Sequence, residues 1–196
     1  MRLTRVCVFC GSSLGADPAY ADAARRLGEE LAARAIGLVY GGAGVGLMRE
    51  VADSCRAAGG EVTGVISESL VEAEVAHRDL DDLRVTSSMH ERKALMADLA
   101  DGFVAMPGGF GTIEEFVEVV TWSQLGLHDP PKPCGLLDIG GFYAPLLAQF
   151  ERAVDQRFIR SQHAALVLAA DEPGVLLDRL AAWEPPPPVR KWTDPA

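Results

Sequence analysis

Positive charge is scarce in this sequence. Its 196 residues carry 18 Lys and Arg against 28 Asp and Glu, a formal net charge of -10. Lysine is rarest: only Lys93, Lys132 and Lys191 occur. Nucleic acids and anionic membranes are held by basic surfaces, so the balance argues against both as partners. A small anion held by a few local donors remains compatible with it. Long apolar runs are also missing. No stretch approaches the ~20 apolar residues that span a bilayer. The apolar run in the opening MRLTRVCVFCGSS is too short and broken for a signal peptide. The expectation is a cytoplasmic protein without a membrane partner.

Cysteine is limited to Cys7, Cys10, Cys55 and Cys134. The first two form a C-x-x-C, a spacing that suits redox or metal chemistry. However, RVCVFCG reads as a strand, on which residues three apart point to opposite faces. No second C-x-x-C exists, and His77, His90, His128 and His163 are scattered. Buried structural thiols and no metal site are expected. Two nucleotide motifs are absent as well. No G-x-G-x-x-G follows the first strand; Gly42-Ala43-Gly44-Val45-Gly46 has another spacing and follows the second. No Gly-Lys-Ser/Thr occurs anywhere. Both absences argue against an NAD enzyme and a P-loop NTPase.

What is present is an ordinary globular composition, 48% hydrophobic and 23% charged, long enough for one domain with a sizeable core. Apolar runs that read as strands are Arg5–Cys10, Gly37–Tyr40, Glu61–Ile66, Leu83–Thr86, Gly102–Met106, Pro133–Asp138 and Leu166–Ala169. Amphipathic runs between them read as helices: Pro18–Arg34, Leu47–Ala58, Met89–Ala100, Ile113–Leu125, Phe142–Gln156 and Pro173–Trp183. This alternation predicts a single-domain, Rossmann-like three-layer α/β fold, a parallel sheet of about seven strands with helices on both faces. The domain is expected over 1–184, with 185–196 as a Pro-rich extended tail. Ser67–Asp82 reads as a short helix plus loop over the sheet edge. Asp17-Pro18 marks a helix start, and Gly59-Gly60 marks a stop. Ser88…Glu91 and Thr112…Glu115 both fit a capping box.

Ligands of open parallel sheets sit beyond the carboxyl ends of the strands. Three segments fall there: CGSSLGA after the first strand, YGGAGVG after the second and PGGFG after the fifth. If they converge, they form one pocket. In PGGFGT the glycines let backbone N–H groups approach a ligand, and a helix N-terminus points at the same spot. Thr112 adds a hydroxyl. A plain strand-to-helix turn is the alternative. Glu114 and Glu115 would repel a phosphate placed on them but suit ribose hydroxyls or a developing positive charge. A capping role for Glu115 is equally open. Arg92 and Lys93, in SSMHERKALM, either reach this pocket or form an exposed face paired with Glu91 or Asp98.

Together, YGGAGVGLM, MHERKALM, MPGGFGTIEE and VVTWSQLGLHDPPKP resemble, in order and spacing, the LOG ("Lonely Guy") proteins. These are cytokinin riboside 5′-monophosphate phosphoribohydrolases, formerly described as lysine decarboxylase-like. The hallmark P-G-G-x-G-T-x-x-E is matched by Pro107, Gly108, Gly109, Gly111, Thr112 and Glu115. The resemblance runs from about Val6 to about Ile159. It implies hydrolysis of the N-glycosidic bond of an N6-substituted AMP, or of AMP, to free base and ribose 5-phosphate, with no cofactor. It implies Arg92 and Glu115 as the catalytic pair. The implied substrate contacts are Glu74, Arg92, Lys93, Gly108, Gly109, Phe110, Gly111, Thr112, Ile113, Glu114, Glu115 and Thr121. A homodimer, with the partner near the active site, is implied too. Ala43 and Arg49 depart from the family's G-G-G-x-x-G-L-M-G. Two rivals stand beside this reading. A pyridoxal-phosphate decarboxylase needs a Schiff-base lysine, and none of the three is convincing. A nucleotide- or molybdenum-cofactor carrier on the same fold would not need both Arg92 and Glu115.

Overall fold

The computed structural model describes residues 3–73 and 75–186. The expected tail therefore lies outside the described residues except for Pro185 and Pro186, as do Glu74 and Lys191. Seven strands form one sheet: β1 (Arg5–Phe9), β2 (Gly37–Tyr40), β3 (Val62–Ser67), β4 (Asp82–Thr86), β5 (Gly102–Ala105), β6 (Cys134–Leu137) and β7 (Val167–Ala170). Their order is β4-β3-β2-β1-β5-β6-β7, and every neighbouring pair is parallel. Among the described residues eight α-helices are interspersed: α1 (Pro18–Ala33), α2 (Gly46–Ala57), α3 (Glu68–Glu72), α4 (Met89–Leu99), α5 (Phe110–Leu125), α6 (Ala144–Asp155), α7 (Ser161–Ala164) and α8 (Pro173–Ala182). None is long and apolar enough to cross a membrane.

Strand periodicity divides the interior into two cores. Val6, Val8, Leu38, Tyr40, Val104 and Met106 face α1, α2 and α8. Cys7, Phe9, Val39, Val65, Phe103 and Ala105 face α4 and α5. Cys7 and Cys10 fall in different cores, both buried and unbridged, which is the opposite-face arrangement the strand reading predicts. Burial pushes both thiols up from the ordinary range, and Cys134 up to about 12, which keeps them protonated.

Most element boundaries fall within two residues of the sequence reading. Two differences matter. The short α7 was not anticipated; SQHA is too brief to show a helical period. More important, α5 starts at Phe110, with Gly109 as N-cap, rather than at Ile113. Glycine's poor helix propensity makes Gly109–Gly111 read as loop, yet tertiary packing carries the first turn through it. The short helix expected in Ser67–Asp82 is α3, and the following segment Val75–His77 lies along the loop after β2.

On the first face, α1 and α2 pack unusually close at Gly28. A Cβ there would lie 2.5 Å from the Val51 carbonyl oxygen and 2.7 Å from the Cys55 nitrogen. Both neighbours are helix backbone and cannot swing aside. Gly28→Ala therefore pushes the helices apart and lowers stability by about 1–3 kcal/mol, read as a fall in the urea midpoint with an unchanged slope.

Candidate active site

The sheet order reverses between β1 and β5: the chain steps outward from β1 to β4, then returns to β5 on β1's other side. Such a switch point opens a crevice at the strand carboxyl ends. The three glycine-bearing loops converge there. Gly11 N–H donates to the Pro107 carbonyl at 3.1 Å, and Leu47 N–H donates to the Gly11 carbonyl at 3.0 Å. A cleft of ≈ 260 Å³ lies between Gly11–Gly15 and Pro107–Gly109, walled by Leu14, Tyr20, Leu47 and Phe142.

Arg92 is the central side chain, and it is buried, 6% exposed. The start of α4 aims it. Ser88 Oγ accepts from the Glu91 N–H at 3.2 Å, and the Glu91 carboxylate accepts from the Ser87 N–H at 2.8 Å. The capping box expected here thus forms, with its return bond moved one residue outward. Arg92, one turn past the cap, then points under the strand ends. Its Nε donates to the Val65 carbonyl at 2.9 Å and its Nη2 to the Gly41 carbonyl at 3.2 Å. Its Nη1 donates to Glu115 Oε1 at 2.9 Å. Gly41 has to be glycine, because a Cβ there would collide with the guanidinium.

Glu115 is therefore not the capping-box partner of Thr112. Thr112 sits inside the first turn of α5, and the cap residue Gly109 has no side chain to offer. Burial pushes the Glu115 carboxyl up from its ordinary range, against the opposing pull of Arg92. Its second oxygen accepts no hydrogen bond from the described residues. Lys93 turns the other way. It donates to Glu114 at 2.6 Å and to Glu118 at 3.1 Å. Burial disfavours its charge, but the two carboxylates outweigh this and raise its pKa. The alternative pairings of Arg92 and Lys93 with Glu91 or Asp98 do not form.

The first turn of α5 leaves backbone donors open. The N–H groups of Phe110, Gly111 and Thr112 have no partner four residues back within the helix. Beyond the adjoining chain, no described residue stands within 4 Å of where a Cβ on Gly109 or Gly111 would project. Neither glycine is demanded by the fold; each keeps space open. Gly108 differs, for its missing Cβ makes room for Thr112, which is buried. Phe110 is 95% exposed at the rim, and Ile113 is half-buried. Thr121 stands apart, six residues beyond Glu115, with its hydroxyl donating to the Val117 carbonyl at 2.7 Å.

Arg92, Lys93 and Gly108–Glu115 are thus brought together, and Thr121 is not. The carbonyls of Gly41 and Val65 and the carboxylate of Glu118 belong to the cluster but escaped the sequence reading. Glu118's spacing of four from Glu114 was a usable signal; backbone carbonyls leave none. Arg49, one of the family departures, pairs on the surface of α2 with Asp53 at 3.2 Å. Ala43 is buried, bridged to Ala76. Lys132 donates to the Ala97 carbonyl at 2.8 Å, beside the amino ends of β5 and β6, far from this cluster.

The site is thus an open helix N-terminus beside a largely buried Arg–carboxylate pair, at the switch point of a Rossmann-like α/β domain. A family profile described as "Possible lysine decarboxylase" matches residues 48–180. The chain is 50% identical over 184 residues, 94% of its length and 80% of the relative's, to the probable cytokinin riboside 5′-monophosphate phosphoribohydrolase LOGL9 of Oryza sativa subsp. japonica. It is 45% identical, covering 94% of its length and 84% of the relative's, to the cytokinin riboside 5′-monophosphate phosphoribohydrolase LOG7 of Arabidopsis thaliana. Among solved structures, a Moco carrier protein from Chlamydomonas reinhardtii superposes with a TM-score of 0.69 at 22% identity, covering 92% of this chain and 99% of that one. That likeness shows the fold alone. The chain belongs to the LOG family.

Two glycine substitutions separate fold from ligand. Gly41→Ala displaces the buried guanidinium and lowers stability by about 3 kcal/mol or more, the scale for breaking a buried charge network. Gly111→Ala leaves stability unchanged or raises it by up to about 1 kcal/mol through helix propensity. Urea melts of the two variants read both.

Proposed function

We propose that the protein hydrolyses the N-glycosidic bond of N6-substituted AMP, and of AMP itself, to the free base and ribose 5-phosphate. The observation that carries the proposal is the Arg92–Glu115 pair one helical turn from an unobstructed helix N-terminus. The first-turn N–H groups of α5 hold the 5′-phosphate. Glu115 lies about 5 Å further along the axis, one turn at 1.5 Å per residue, on the scale of the span from a 5′-phosphate to the ribose ring. Breaking the bond from C1′ to N9 builds oxocarbenium character on the ribose, which a fixed carboxylate stabilises. Water adds to C1′, and a proton reaches N9 of the departing base. The free oxygen of Glu115 is positioned for the ribose, while Arg92 holds the other. Lys93, held by Glu114 and Glu118, borders the same site.

Several features of the assembly follow the same reading. Thr121 lies six residues beyond Glu115, roughly 9 Å along α5 and about 240° round its axis, so it faces away from the Glu115 carboxylate. A homodimer in which a second copy brings Thr121 to the neighbouring site accounts for it. A groove of ≈ 340 Å³ on this flank, lined by Val120, Leu147, Phe150, Val154, Ile159 and Val167, supplies apolar surface for that copy to cover. The acidic charge balance disfavours nucleic acid as a partner, and a cytoplasmic location belongs to the same reading. Among the described residues a pyridoxal-phosphate reaction finds no support, since Lys93 is engaged by two carboxylates and Lys132 lies at the wrong end of the strands. A carrier role has only the fold likeness behind it.

Incubating the protein with N6-isopentenyl-AMP and AMP should release free base and ribose 5-phosphate from both. Glu115→Gln should lower that rate by about 10²-fold or more, the usual effect of removing one preorganised electrostatic group. Nucleotide bound without base released would favour the carrier. The acid limb of kcat/KM should lie above the ordinary carboxylate value of 4.5. Activity requires the ionised form, and burial raises the pH at which that form is lost as pH falls. A limb that persists unchanged in a variant retaining activity at Glu115→Gln would assign it to another group.

A further inference from the structure

Beneath the loop after β2 is a buried polar chain that the reaction does not use. Tyr40, the last residue of β2, is fully buried, and its hydroxyl lies 2.8 Å from His77 Nδ1. His77 is 6% exposed, and its Nε2 lies 3.3 Å from Asp53 Oδ1 on α2. A ring protonated at Nε2 satisfies both neighbours, with Tyr40 donating to Nδ1 and Nε2–H directed at Asp53. Asp53 is also within reach of Arg49 and Arg56 on its own helix.

The backbone around His77 explains what this chain anchors. Gly44 N–H donates to the Val75 carbonyl at 2.8 Å, and His77 N–H donates to the Gly42 carbonyl at 2.9 Å. Ala43 and Ala76 pair antiparallel between them. Val75–His77 is thus a strap lying along the glycine loop. A Cβ on Gly44 would stand 3.3 Å from the His77 Cα, so the two chains run in close contact. The loop's first residue, Gly41, supplies the carbonyl that accepts from Arg92 Nη2. Three glycines in five residues, Gly42, Gly44 and Gly46, leave this loop little stiffness of its own. Its rigidity must come from outside, and the strap provides it.

We propose that His77 is a positioning residue for the hydrolysis. Bonded to Tyr40 and facing Asp53, it clamps the strap onto the loop and so fixes the Gly41 carbonyl that orients Arg92 toward Glu115. The role rests on the reaction proposed above and adds a residue to it. A burial role alone would leave turnover indifferent to the polar atoms of His77; a clamp makes turnover depend on them.

The test compares His77→Ala, His77→Asn and Asp53→Ala in the intact protein. His77→Ala should speed amide exchange at Gly44, the mark of local opening. It should also lower kcat at least about tenfold with KM changed less than about threefold, as expected when catalytic geometry loosens. His77→Asn, whose amide can still meet Tyr40, should recover part of both. If His77→Ala does not fold, Asp53→Ala, altering a surface residue of α2, should still give a smaller shift of the same kind. Wild-type base release tests the reaction itself. Given that release, kcat unchanged while Gly44 exchange rises, or exchange unaffected by His77→Ala and Asp53→Ala, would overturn the clamp. So would losses in His77→Asn equal to those in His77→Ala.

Discussion

The guanidinium of Arg92 is the constraint on which the rest of this site depends. It is nearly out of water and ties the ends of β2 and β3 to α5 through two carbonyls and one carboxylate. An Arg is always charged, so its burial requires partners in place. Removing one partner of such a network costs about 3–5 kcal/mol, against a total of about 5–15 kcal/mol for an ordinary domain. The position of Glu115 is therefore set by the fold's own stability. A carboxylate held by burial and one fixed cation needs no reorganisation when charge develops beside it.

That arrangement sets open backbone donors and fixed carboxylates on successive turns of α5. The first turn presents N–H groups and open space where Gly109 and Gly111 lack side chains. The next presents Glu115, whose charge is balanced by Arg92, and Glu114, which is drawn aside by Lys93. The other face of the sheet does different work. There α1, α2 and α8 pack on aliphatic side chains, and α1 comes close to the second half of α2 at Gly28.

Much of the fold was legible because short apolar runs alternate with longer, more polar ones along the chain. RVCVF, GLVY and GFVA are short and almost entirely apolar, with glycine or polar residues close by, so they read as buried strands. The alternation of β1 through α5 then placed three glycine loops on one edge. The start of α5 was not legible, because Gly109–Gly111 has the local propensity of a loop and only the packed structure extends the helix through it. That single shift decides between two roles for Glu115. Arg92 was placed near the pocket by its spacing from the Ser88 cap, but its bonds to the Val65 and Gly41 carbonyls could not be read. Backbone acceptors carry no sequence label. His77 was set aside as a scattered histidine, since its partners Tyr40 and Asp53 come from β2 and α2, 37 and 24 residues away.

Coupling between Arg92 and Glu115 is the most direct measure of the account. A double-mutant cycle with Arg92→Lys and Glu115→Gln, read in kcat/KM for base release, isolates it. If the pair acts as a unit, the double variant should be no slower than the slower single variant. If the two losses multiply instead, the residues act independently and the central claim fails.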